Sequence, residues 1–225
     1  MSKSLLYIFD NIQSLCILLS FIISLRLVNN DKIPSYMKGF FWYPTIGTIV
    51  MIPWAIGKNF FMGLEIFGKM INNISLLFHF SFLSFFIYRV MPQKNIWSNF
   101  FRITFVIFFC LLLFTLSKDN LWQINKLSFA IANFGLSVFC IAYYYQIFNN
   151  IPSLNLRKEP SFWIISGVFF CMSVHIPMYS SINYLRPKIS INSYWLLSSI
   201  STFCYTVMHL FFIKAYLCAT HPQKV

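Results

Sequence analysis

Along this chain the apolar residues come in long blocks, and the polar ones gather between the blocks. Within a block there is no alternation of period two, which a strand with one wet face would show. A transmembrane β-barrel strand would be about 10 residues of alternating character. Blocks of about 20 mostly apolar residues instead match what a helix needs to cross the hydrocarbon core of a bilayer. The pattern predicts seven such helices, at residues 4–27, 39–57, 71–90, 103–117, 127–148, 161–182 and 191–218. The fourth, "ITFVIFFCLLLFTLS", is short and the most uniformly apolar. The first carries Asp10 and Asn11 in its early half. That acid, together with the lack of a small-residue cleavage site, argues against a removable signal peptide. Residues 1–225 therefore read as a single domain: an all-α, polytopic membrane helical bundle with seven transmembrane helices. No internal repeat is visible, which weakens any transporter fold built from two matching halves.

Composition agrees with the pattern. The chain is 58% hydrophobic, 20% aromatic and only 10% charged, with a mean hydropathy of +0.68, whereas about a quarter of a soluble domain is charged. A net charge of +12 brings nucleic acid to mind, but Lys and Arg occur in ones and twos at the ends of apolar blocks, with no basic stripe. They read as interfacial anchors attracted to anionic headgroups, so the expected partners are membrane lipids and not nucleic acid. Trp42, Tyr43, Trp97, Trp122, Trp163 and Trp195 lie near block ends, as interfacial belts do. The six cysteines form no ligand-like spacing and lie in or beside apolar blocks, so they read as buried free thiols.

Charge also orients the chain. With seven crossings, the side of the N-terminus holds seven Lys and Arg and the other side ten. The positive-inside rule then places the N-terminus outside and the C-terminus in the cytoplasm, in an inner (plasma) membrane. Lys214, in "ISTFCYTVMHLFFIKAYLC", falls about 15 Å from the middle of the last helix at 1.5 Å per residue. That is headgroup depth, where a lysine snorkels. It reads as an anchor and not as a buried amine for a retinal-type Schiff base.

Ionisable and amide groups inside the blocks are costly in hydrocarbon, and should face the bundle interior or water. Asp10, His79, Asn133 and His175 fall at the midplane or in the outer half, and His209 in the inner half. Asn72, Ser75 and His79 share one face of the third helix. Asn133, Ser137, Cys140 and Tyr144 form a stripe on the fifth, and Ser198, Thr202, Tyr205 and His209 one on the seventh. The fourth helix has no such stripe and reads as lipid-facing. The candidate ligand-binding residues are Asp10, Asn72, His79, Asn133, His175 and Thr202, around a partly polar cavity in the outer half. The plainer alternative is that such groups only hydrogen-bond across the bundle, each contributing around 1 kcal/mol. Cys171 and His175, four apart, have metal-ligand chemistry, but no second pair matches them. No HxH, HExxH or carboxylate cluster appears. The expectation is therefore no metal, no cofactor and no enzyme.

The segment "CIAYYYQIFNNIPSLNLRKEPSFWIISGVFFCMS" resembles a group of seven-helix membrane proteins and sensor regions from Bacteroidetes-type bacteria. The resemblance rests on Tyr143 to Tyr145, Pro152, Leu154, Pro160, Phe162, Trp163 and Gly167. "NNISLLFHFSFLSFFIYR" is similar as well, with Asn73 matching. Where relatives carry a glutamate in mid-helix this chain has His79, a departure from their pattern. The resemblance covers about residues 71–216 and implies a signalling connection, because some such regions precede histidine-kinase modules.

Three functions follow as expectations. The first is a sensory or signalling protein with a small-ligand pocket in the outer half, passing a helix shift to a cytoplasmic signalling partner. The second is a small-molecule transporter using Pro53 and Pro177 as helix breaks. The third is a structural subunit of a membrane complex.

Overall fold

The structure, a computed structural model, describes residues 2–28, 33–49, 64–91, 95–118, 125–150, 155–185 and 190–220. Its elements are α1 (Ser2–Val28), α2 (Ser35–Phe40), α3 (Leu64–Val90), α4 (Asn95–Lys118), α5 (Lys126–Asn150), α6 (Pro160–Leu185) and α7 (Ile191–Thr220), with a 3₁₀ turn at Leu156–Lys158. Residues 42–49 are helical too. No strand occurs among the described residues. Six of the described helices are long and apolar enough to cross a membrane: α1 and α3 to α7. An integral membrane protein is compatible with this.

The seventh expected crossing, residues 39–57, is not shown. Its described part is α2 and helical residues 42–49, separated by a turn at Phe41, and its remainder lies outside the described residues, as do Pro53 and Trp122. The other blocks are extended more than moved. The fourth grows most, to Asn95–Lys118, because its first turns carry Ser98, Asn99 and Arg102, which hide a helix from a reading based on hydropathy.

Local signals account for the helix ends. Asn125 caps α5, its Oδ1 accepting from the Ser128 amide at 2.9 Å and its Nδ2 donating to the Thr115 carbonyl at 2.7 Å. One side chain thus satisfies an orphan donor of α5 and an orphan acceptor near the end of α4. Ser190 caps α7 in the same manner through the Ser193 amide, at 3.2 Å. Pro160 opens α6, where its missing N–H costs nothing.

The chain divides into two compact units. The first comprises residues 1–49, 153–174 and 184–225, and the second residues 50–152 and 175–183. In the first, α1 runs along α7, and the Ser20 hydroxyl donates to the His209 carbonyl at 3.3 Å. Ser20 and Ser24 are fully buried on α1, while Leu15, Leu19 and Ile22 are exposed on its other side. An exposed apolar face of this kind suits lipid. Gly167 of α6 meets α7 so closely that an added Cβ would lie 2.7 Å from the Phe211 Cβ. Phe40 stacks on Tyr43 and meets Phe212 edge to face.

In the second unit α3, α4 and α5 pack together around an aromatic core. Phe101 stacks on Phe139 at 4.1 Å, and Phe80 on Phe105 at 5.7 Å. Gly135 leaves room for Phe80 and Phe108, whose ring atoms lie 3.0 Å from where its Cβ would be. The division passes through α6 just before His175. There Pro177 leaves the carbonyl of Ser173 without its in-helix donor.

Candidate functional site

The six residues singled out by the sequence do not fall into one group. Asp10 and Thr202 belong to the first unit, and Asn72, His79, Asn133 and His175 to the second. In the first unit Thr202 donates through Oγ1 to Asp10 Oδ1 at 3.1 Å. The acid thereby gains the partner that a carboxylate in an apolar helix needs. Thr202 is buried, Asp10 half-buried, and the pair joins α1 to α7. Thr206 and His209 continue this polar seam as buried residues, so the stripe predicted on α7 packs partly against α1.

The second unit holds the more unusual chemistry. His175 is 0% exposed, and its ring stacks on Tyr179 at 5.6 Å. Tyr179 in turn lies 5.1 Å from Phe129 of α5. One turn further along α5, on the same side, is Asn133, only 3% exposed. Its carbonyl accepts from the Ser137 hydroxyl at 2.9 Å. Its side-chain amide Nδ2 is buried and has no hydrogen-bond partner among the described residues. His79 is half-buried on α3 and near enough to His175 for a charge on either to oppose one on the other. The two imidazoles and the Asn133 amide donor all belong to this unit, on α3, α5 and the end of α6.

The stripes differ in how well they are buried. On α5, Asn133, Ser137 and Cys140 are all buried, as an inward face requires. On α3 the stripe of Asn72, Ser75 and His79 is only half-buried, and the buried face is that of Asn73, Leu76, Phe80, Leu83 and Ser84. Asn72 therefore gives way to its neighbour Asn73 as the inward amide. Two adjacent asparagines offer no periodic signal to choose between them; packing against bulky Leu76 and Phe80 does.

Ser84 was not singled out by the sequence, yet it is fully buried and its hydroxyl has no partner among the described residues. Glu159 was missed as well. Its Oε1 accepts from the Tyr36 and Ser161 hydroxyls, each at 2.9 Å, tying α2 to the start of α6. A nearby signal existed in the Pro-x-Phe-Trp opening of α6, where an acid just before a helix favours its dipole. Trp163 donates from Nε1 to the Arg157 carbonyl at 2.9 Å, and Lys214 is exposed with Nζ 5.9 Å from the indole. Lys214 thus stands at the surface of its unit beside an aromatic ring.

In the second unit a crevice of about 150 Å³ is lined by Ser81, Phe85, Tyr88, Phe101, Arg102 and Phe105, none of them a predicted ligand residue. No group of three or more His, Cys, Asp or Glu positioned to share a metal ion occurs among the described residues. Comparison with protein-family models, curated proteins and solved structures finds no match to this chain.

Proposed function

We propose that this chain is a sensory membrane protein that binds a small amphipathic molecule beside His79, Asn133 and His175. The supporting observation is the buried Asn133 amide, whose donor no described residue accepts. In a water-free core an unsatisfied donor costs several kcal/mol, and a ligand offering a carbonyl or carboxylate oxygen would remove that cost. The two imidazoles of the same unit add groups able to donate or accept. In this reading the protein lies in a plasma membrane with its N-terminus outside, so the site faces the outer half. It does no covalent chemistry, and ligand binding shifts α6 at the Pro177 break toward a cytoplasmic partner.

Native mass spectrometry of the protein released from membranes tests this. Wild type should retain a small molecule that Asn133→Leu and His175→Leu release, with both variants still folded. If wild type retains nothing, and no compound from a panel of amphipathic acids and amides raises its unfolding temperature, the reading fails. A transport role has one observation in its favour, the proline inside α6, since broken helices line many substrate paths. Uptake into proteoliposomes that is lost in Pro177→Ala would favour transport over sensing.

A further inference from the structure

The crevice of the second unit lies on the seam between α3 and α4, and its lining includes none of His79, Asn133 and His175. Ser81, Phe85 and Tyr88 of α3 are spaced at four and three and so share one face. Phe101, Arg102 and Phe105 of α4 oppose them. From Tyr88 to Ser81 the groove runs about 10 Å at 1.5 Å per residue. Four of its six lining residues are aromatic, and the Tyr88 hydroxyl is already engaged with Ser98 at 3.1 Å. Phe85 is 61% exposed, so the groove opens outward from the helix pair.

Its two ends differ. The deep end continues into the apolar core at Phe105, which stacks on Phe80. The other end carries the features of a headgroup level: Trp97 lies beside Tyr145, with ring centroids 5.4 Å apart. Two guanidinium groups stand there. Arg102 lines the groove, and Arg89 sits over the Phe85 ring at 5.8 Å. Both are exposed. From Ile66 to Lys118 the chain contains no Asp or Glu, so no acid within that stretch offsets them.

We propose that this groove holds one acyl chain of an anionic phospholipid, with the lipid phosphate bound between Arg102 and Arg89. Aromatic walls suit a hydrocarbon chain. Arginine forks suit phosphate oxygens, and basic pockets between transmembrane helices bind anionic headgroups in the same manner. The site is independent of the proposed sensory pocket and stands whether or not that pocket binds anything.

The test uses full-length protein in nanodiscs of equal phosphatidylglycerol and phosphatidylcholine, followed by native mass spectrometry of the lipids that stay bound. Wild type should retain phosphatidylglycerol in clear preference to phosphatidylcholine. Arg102→Gln and Arg89→Gln should each reduce that preference about fivefold, the scale of one basic side chain at an anionic surface. Lys118→Gln serves as the control. This lysine caps the opposite end of α4, its Nζ 4.3 Å from the Phe114 ring, away from the Arg102 and Arg89 guanidiniums, and its variant should keep the preference. All three positions are exposed, so the variants should fold. Equal retention of the two lipids by wild type overturns the proposal. So does a preference that survives in the double arginine variant, or one that Lys118→Gln removes equally well.

Discussion

Gly167 and Gly135 show how differently two glycines on packed helices behave. At Gly167 a methyl group would lie 2.7 Å from the Phe211 Cβ and 3.2 Å from the Met208 carbonyl oxygen. Neither atom is the loose end of a side chain, so the helices must separate. At Gly135 the obstacles are ring atoms of Phe80 and Phe108 at 3.0 Å, which can turn aside. Gly167→Ala should therefore cost about 1–3 kcal/mol, the usual range for overpacking, and Gly135→Ala distinctly less. Denaturant titration in mixed micelles would rank them, and an equal ranking would refute the distinction. The Asp10–Thr202 bond makes a second comparison. Thr202→Val keeps the shape and removes the donor, and should cost roughly 0.6–2 kcal/mol, as interhelical hydrogen bonds in membranes do. Thr202→Ser should cost less, since it retains the hydroxyl.

At the scale of elements, α4 and α5 have similar lengths and opposite roles. The apolar window of α4 is 17% buried and that of α5 61%. Ile103, Val106, Ile107, Leu113 and Phe114 of α4 are exposed, whereas Ala132, Leu136, Phe139 and Tyr143 of α5 are almost wholly enclosed. The cysteines show the same contrast, Cys110 on α4 being exposed and Cys140 on α5 buried. A photoactivated carbene probe dissolved in the bilayer should mark α4 heavily, Cys110 included, and α5 only at positions such as Phe134, Ile141 and Phe148. Labelling of Phe139 or Cys140 would mean that α5 does not have the buried face described here. The absence of a polar stripe made α4 readable from sequence alone as the least buried of the candidate spans. The position of Asn125 was not readable in that way, because its two hydrogen bonds depend on the end of α4 being brought to it.

At the scale of the whole molecule the number of crossings sets which side each end occupies. With the seven crossings that the apolar blocks predict, the ends lie on opposite sides; with the six described long helices alone they would share one. Reporter domains fused after Val225 and before Met1 should therefore report opposite compartments, the C-terminal one cytoplasmic. Reporters on the same side would remove residues 39–57 from the list of spans, and with them the orientation derived from Lys and Arg.

What the sequence determined by itself was the class of structure and the approximate place of the helices. Segments rich in Phe, Leu and Ile that exceed the thickness of hydrocarbon have few options besides helix, because every backbone polar group must find its partner inside the segment. What only the tertiary structure decided was which groups meet. Asp10 finds Thr202, His175 finds Tyr179, Asn73 turns inward in place of Asn72, and a groove opens beside Arg102. In a helix that is apolar on all sides, periodicity cannot say which face is buried. That choice falls to the shapes of bulky residues such as Phe80, Phe139 and Phe211 and to the glycines that admit them.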